Sequence, residues 1–162
     1  ILSSAENKAV TWALQTIYTD SQGKNFKTTW KNELQNLCGS VGYRSIQFKA
    51  ARRLHDKALA YYDKFQFTKI KSYLFLFDIV VQNGGLYQSN LTDYQNFLAQ
   101  NPNATEEQRL QAILTSRLKQ VLNQYKEDVR SRKQSIIDGS GVVHGDNRNY
   151  EKEYCFQKDS NY

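Results

Sequence analysis

Between Tyr73 and Val81 the chain reads YLFLFDIVV, apolar at every position except Asp78. A helix of that composition has no polar side to offer water, so other elements must surround it. Gly84 and Gly85 follow, where a helix C-terminus favours a left-handed residue, which predicts a buried helix from Lys69 to Asn83. The apolar run is far too short to cross a bilayer. No charged, apolar and small-residue signal pattern opens the chain, so the expectation is a soluble domain with no membrane partner.

The partners of that helix are also helical by pattern. Pro102 is the only proline in 162 residues, which leaves room for long helices. Ser3 and Glu6 form a capping-box pair ahead of Val10, Leu14 and Ile17, and this helix should stop near Asp20 to Gly23. Phe26, Trp30, Leu34 and Leu37 recur at helical spacing. After Gly39 and Gly42 a third, long helix carries Ile46, Ala50, Leu54, Ala58 and Tyr61. A further helix, about Leu91 to Ala99, ends at Asn101-Pro102-Asn103. Thr105 with Gln108 then caps another through Leu110, Ile113, Leu114, Val121 and Tyr125, whose pattern runs on toward Ile137 as one helix or as two. Gly139 to Gly145 reads as a glycine-spaced turn, with no strand longer than Val142-Val143, and Tyr150 to Phe156 as a short final turn packed on the body. The expected fold is all-α, a compact bundle of about six to seven helices. One domain should span residues 1–156, with 157–162 a frayed tail.

Charge narrows the partners. Twenty-two Lys and Arg against sixteen Asp and Glu give +6, which favours anionic partners such as nucleic acid, acidic membranes or a bacterial wall. Lys49, Arg52, Arg53 and Lys57 line the outer side of the third helix, but no helix-turn-helix, zinc finger or RNA-binding signature accompanies them, so nucleic acid is a minority reading. Cys38 and Cys155 lie far apart and belong to no C-x-x-C pair. They read as a disulfide or as two buried free thiols, and with His55 and His144 they show no metal-ligand spacing.

Several side chains stand out chemically. Asp78, inside an apolar helix, must be paired, hydrogen-bonded or neutral, and a structural anchor is favoured over a catalytic acid. The amides of Gln82 and Asn83, at the end of the same helix, could meet a sugar hydroxyl or equally cap the helix. Arg130, Arg132 and Lys133 precede Gly139-Ser140-Gly141, but the glycines close a helix instead of opening one after a strand, so this is no phosphate loop. His144 reads as a proton carrier or, more commonly for a lone loop histidine, a hydrogen-bonding strut. Ser140 has no Gly-x-Ser-x-Gly context.

Three blocks taken together resemble a known family. They are Ser45-Ile46-Gln47 through Ala50, Ala51 and Ala58; Leu76-Phe77-Asp78-Ile79-Val80-Val81-Gln82-Asn83-Gly84; and Arg132-Lys133, Ile136, Gly139 to Gly145, closing on Tyr150-Glu151-x-Glu153-Tyr154. The chain is similar in these blocks to the C-terminal part of the chitosanase-like, lysozyme-superfamily peptidoglycan hydrolases, which include type VI secretion effectors and spike-protein extensions. The match spans most of Trp30 to Phe156 and is specific in the second and third blocks. Val142 stands where the family usually has Thr, Asp138 replaces a small or variable residue, and Cys155 replaces a closing Gly.

The resemblance implies a lysozyme- or chitosanase-like C-terminal lobe that is secreted or delivered to the bacterial periplasm or wall, without a cofactor or metal. Its partner would be peptidoglycan or a related β-1,4 amino-sugar polymer. Gln82, Asn83, Arg132, Lys133 and His144 would line or brace the groove, supported by Asp78, Gly139, Gly141 and Gly145. Glycoside hydrolysis normally needs two carboxylates roughly 5 to 9.5 Å apart. No convincing pair is visible here: Glu6 reads as a cap, and Glu106 and Glu107 as first-turn helix acids. The family's catalytic Glu and its G-N-F-D-x-Q-G-like motif have no counterpart, so the cutting acids are expected upstream or on a second chain. A non-catalytic wall-polysaccharide-binding module and a basic helical interaction domain are the alternatives.

Overall fold

The computed structural model describes residues 4–162, so Ser3 of the expected N-terminal capping box lies outside the described residues. The protein is all-α: 69% of it is helical, and the only sheet among the described residues has two short strands. The chain divides into two compact units, 1–51 and 52–162, where one body was expected.

The first unit holds α1 (Ser4–Thr16), α2 (Thr28–Gly39) and the opening turns of α3 (Val41–Lys64). Asp20 organises its loop, accepting backbone N–H bonds from Gln22, Lys24 and Asn25 at 2.9, 3.1 and 2.8 Å, while Tyr18 stacks on Phe26 at 4.9 Å. Ser40 is the true break before α3: its hydroxyl accepts from Tyr43 N–H, and Gly42 lies inside the helix. No described residue of this unit is buried.

The second unit contains the core. It is built from the end of α3, α4 (Ile70–Asn83), α5 (Gln88–Gln100), α6 (Glu106–Leu118) and α7 (Lys126–Asp138), with α8 (Tyr150–Tyr154) at the end. Phe75, Leu76, Ile79 and Val80 of α4 are buried with Leu110, Ile113 and Leu114 of α6 and Val129, Ile136 and Ile137 of α7. Gly84, at φ 72°, ends α4 in the left-handed conformation, its N–H bonded to Val80 O. The expected capping box of α6 is present, with Thr105 Oγ accepting from Gln108 N–H and Gln108 answering to Thr105 N–H. A 3-10 turn at Asn123–Tyr125 separates α6 from α7, so the long pattern toward Ile137 is two helices.

The structure corrects two expectations. The glycine-spaced turn is a β-hairpin, β1 (Ser140–Val143) against β2 (Asp146–Asn149), closed by His144 and Gly145 with φ of 54° and 86°. Two successive left-handed residues make the tight loop that matches strand twist. Val142 and Val143 are the only β-favouring residues of the two strands, and the Asp-Asn-Arg-Asn of β2 carries no β-forming alternation for a sequence reading to detect. The tail, expected to fray, is docked. Tyr162 N–H donates to Thr68 O at 2.9 Å, its ring lies 4.7 Å from Tyr73 and 5.3 Å from Tyr62, and Asp159 pairs with the buried Lys71 at 2.9 Å. Ring contacts of the half-exposed Tyr162 and an ion pair to a buried lysine supply what a polar tail lacks on its own.

Glu106 ties α6 to the start of α4. Its carboxylate accepts from the backbone N–H of Thr68 and Lys69 and from the hydroxyls of Thr68 and Ser72. Burial works against this charge, but the donors of Ser72, Lys69 and Thr68 outweigh it and hold the carboxyl below the ordinary glutamate range.

Candidate functional site

The helix expected to be buried all round is not. Leu74, Phe77, Asp78 and Val81 of α4 line an open cleft of about 360 Å³ together with Arg132 and Ile136 of α7, Val143 and His144 of the hairpin, Arg148 and Tyr150. Leu74, Phe77 and Val81 follow one another at spacings of three and four, so they form one stripe along α4. The excess of apolar residues that sequence reading assigns to the core is the floor of this cleft, and Val81 is openly exposed.

Asp78 anchors the basic wall. Its Oδ1 receives Nε and Nη2 of Arg132, each at 2.6 Å, and its Oδ2 receives Nζ of Lys133 at 2.9 Å. Both Arg132 nitrogens share one oxygen, a charge-assisted contact that leaves the other oxygen to Lys133. Lys133 Nζ also donates to Gln82 Oε1 at 2.5 Å. Arg132 and Lys133 are adjacent in sequence, yet the Lys133 side chain is 0% exposed while that of Arg132 is 39% exposed. Lys133 is therefore an internal brace in this conformation, and Arg132 is the group that faces the cleft. Burial is the main influence on Lys133 and pushes its ammonium below the ordinary lysine value, against the attraction of Asp78.

The remaining expected residues spread out around this core. Asn83 accepts from Arg117 Nε at 3.3 Å and does not line the cleft, so its amide serves a protein cation. His144 is held out at the hairpin tip, 66% exposed, with Nδ1 3.2 Å from Asp128 Oδ1. Gly139 caps α7 at φ 79°, and Gly141 is required by contact: a Cβ there would stand 2.9 Å from that of Ser135, which lies on α7. Gly145 completes the hairpin turn. Cys38 and Cys155 are both free and exposed, neither bridged nor buried. Among the described residues no three His, Cys, Asp or Glu side chains are grouped as for a metal ion, and no helix is long and apolar enough to cross a membrane.

Sequence reasoning missed Arg148 and Tyr150 as lining residues. Arg148 sits opposite Gly141 in the hairpin register, and its guanidinium bonds Glu153 at 2.6 Å and the Tyr154 hydroxyl at 2.7 Å, with Tyr150 and Tyr154 rings at 5.9 and 5.8 Å. The hydrogen bond that Arg148 donates to the Glu153 carboxylate is the chief influence raising its guanidinium above the ordinary arginine value. Arg148 lies on β2 and Tyr150 opens α8 directly after it, a placement visible only once the hairpin is recognised.

Asp78 has both oxygens engaged by cations, and Glu153 is committed to Arg148. No two carboxylates line the cleft, so an acid-base pair across a scissile bond is not assembled from its own walls. Comparison with protein-family models, with curated proteins and with solved structures found no match for this chain.

Proposed function

We propose that this protein forms the substrate groove and scaffold of a bacterial cell-wall glycosidase, taking peptidoglycan or a related β-1,4 amino-sugar chain. One observation carries the reading: an apolar stripe, Leu74, Phe77 and Val81, left open and flanked by Arg132, Arg148 and His144. An apolar floor with a few fixed polar groups is the usual make-up of a small-ligand site. Sugar rings can lie with their C–H faces on such a floor while hydroxyl and acetamido groups meet the polar rim. The two guanidinium groups suit the anionic peptide stems of peptidoglycan. The similarity of the Asp78 and Gly139 to Gly145 blocks to wall hydrolases points the same way.

In this reading Asp78 holds the wall and does not protonate a leaving oxygen, and the acids that cut the glycan come from carboxylates outside the cleft lining. Co-sedimentation with insoluble peptidoglycan at two salt concentrations tests it. The chain should be retained, and Val81→Glu, which places an acid on the exposed floor, should lower retention. Failure of the native chain to sediment with peptidoglycan overturns the reading, and steeply salt-sensitive DNA binding in its place favours a basic interaction domain. Retention without sugar release fits a groove that lacks its acids and equally a wall-binding module. Sugar release abolished by Asp78→Asn, in a variant whose urea unfolding midpoint is unchanged, would show that Asp78 is an acid after all.

A further inference from the structure

A second groove runs between α5 and α6, and its lining differs in kind from the charged cleft. It has a volume of about 540 Å³ and is bordered by Asn96, Phe97 and Gln100 of α5 and Gln111, Thr115 and Ser116 of α6, with Asp93 and Lys119 at one end. The Asn96, Gln100 and Gln111 side chains make no hydrogen bond among the described residues, so each presents both an amide donor and an acceptor to whatever enters. Phe97 is half-buried between them.

The charged end is built in advance from inside the protein. Asn90, 1% exposed, donates to Ser116 Oγ at 3.0 Å, and Ser116, 3% exposed, donates to Asp93 Oδ2 at 2.7 Å. Lys119 donates to the same oxygen at 2.8 Å. These bonds, that from Lys119 first, hold the Asp93 carboxyl below the ordinary aspartate value. Asp93 Oδ1 accepts nothing among the described residues, so this groove-lining carboxylate keeps one acceptor oxygen free. The Asp93 and Lys119 charges cancel, which makes the lining neutral in a chain of net charge +6.

We infer that this groove binds a short, uncharged oligosaccharide. A fixed carboxylate oxygen and three free amides match hydroxyl and acetamido groups, which both donate and accept. The Phe97 ring offers an apolar face to sugar C–H groups, and the neutral lining gives an anionic ligand nothing to gain. The volume falls within the range of small-ligand sites, roughly 300 to 1,000 Å³. The site shares no lining residue with the cleft beside Asp78, and the inference stands whether or not the wall-glycan reading holds.

The test is a titration of the full chain, labelled with nitrogen-15, with chitotetraose and with cellotetraose. Binding of either should shift the side-chain amide signals of Asn96, Gln100 and Gln111, and added salt should not reverse the shifts. Asn96→Ala and Gln111→Ala, both at exposed positions, should each weaken binding about 2- to 13-fold, the worth of one neutral hydrogen bond. Val81→Glu in the other cleft should leave these shifts unchanged, so failure of one site is distinguishable from failure of the other. Shifts from neither sugar, shifts that salt abolishes, or binding that survives both alanine variants undiminished would each overturn the assignment.

Discussion

The two units of this chain carry the same kind of sequence pattern and use it differently. Residues 4–51 have apolar side chains at helical spacing, yet Val10, Trp12, Leu34, Leu37, Ile46 and Phe48 are exposed. Residues 52–162 bury Phe75, Leu76, Leu110, Leu114 and Ile137 completely. Periodicity thus specifies that a segment is helical and which side is apolar, but burial depends on whether another element comes to cover that side. Helix α3 shows both regimes in one element, with Ile46 and Phe48 exposed near its start and Ala58 and Tyr62 buried near its end.

This contrast can be broken by mutation. The largest effect is expected for Asp78→Ala, which leaves Lys133 buried without its counter-charge: a loss of about 3 to 5 kcal/mol in urea unfolding of the second unit. A loss below about 1 kcal/mol would mean that Lys133 escapes to water and that the Asp78 network is peripheral. Leu114→Ala should cost about 2 to 5 kcal/mol in the same measurement, because its side chain is wholly enclosed.

Glu106→Gln comes next, at about 1.5 to 3 kcal/mol for hydrogen bonds to a charged acceptor. It should also change the pH profile. The folded pKa of Glu106 is lowered, so its contribution is fully present above the unfolded value, near 4.3, and is lost as pH falls through the lower folded value. The variant should therefore show a flatter acid limb, and an unchanged limb would show that Glu106 is not the titrating anchor. The smallest effects belong to the first unit. Leu37→Ala and Trp12→Ala should each change stability by less than about 0.5 kcal/mol, and amide exchange in α2 should be much faster than in α4. A cost comparable to that of Leu114→Ala would show that these side chains are covered in solution and would erase the contrast.

The helices were legible because caps and breakers mark them locally: Thr105 with Gln108, Gly84, Gly139. That Asp78 must be paired was legible too, since an acid in an apolar helix has few other options. Its partners were named as groove residues and not as its own ion pairs, because a separation of more than fifty positions is closed only by packing α4 against α7. Burial of Lys133 beside a half-exposed Arg132 was beyond sequence reasoning, as adjacent helical positions differ by about 100° around the axis and the direction of the core decides between them. The hairpin and the docked tail escaped for a related reason. The hairpin is held by its packing on α7, Gly141 against Ser135, and the polar tail by contacts remote in sequence, Tyr162 against Tyr62 and Tyr73.

The position of Asp78 has a mutational consequence. This one carboxylate both orients a cleft residue and neutralises a lysine enclosed in the core, so a change at Asp78 or Lys133 should cost stability as well as alter the cleft wall. His144 and Arg148 are not tied to the core in this way, because they sit on the hairpin, the His144 ring largely exposed and Arg148 paired with the partly exposed Glu153. Substitutions that reshape the cleft without loss of stability should therefore be found on the hairpin and not at the Asp78 and Lys133 pair.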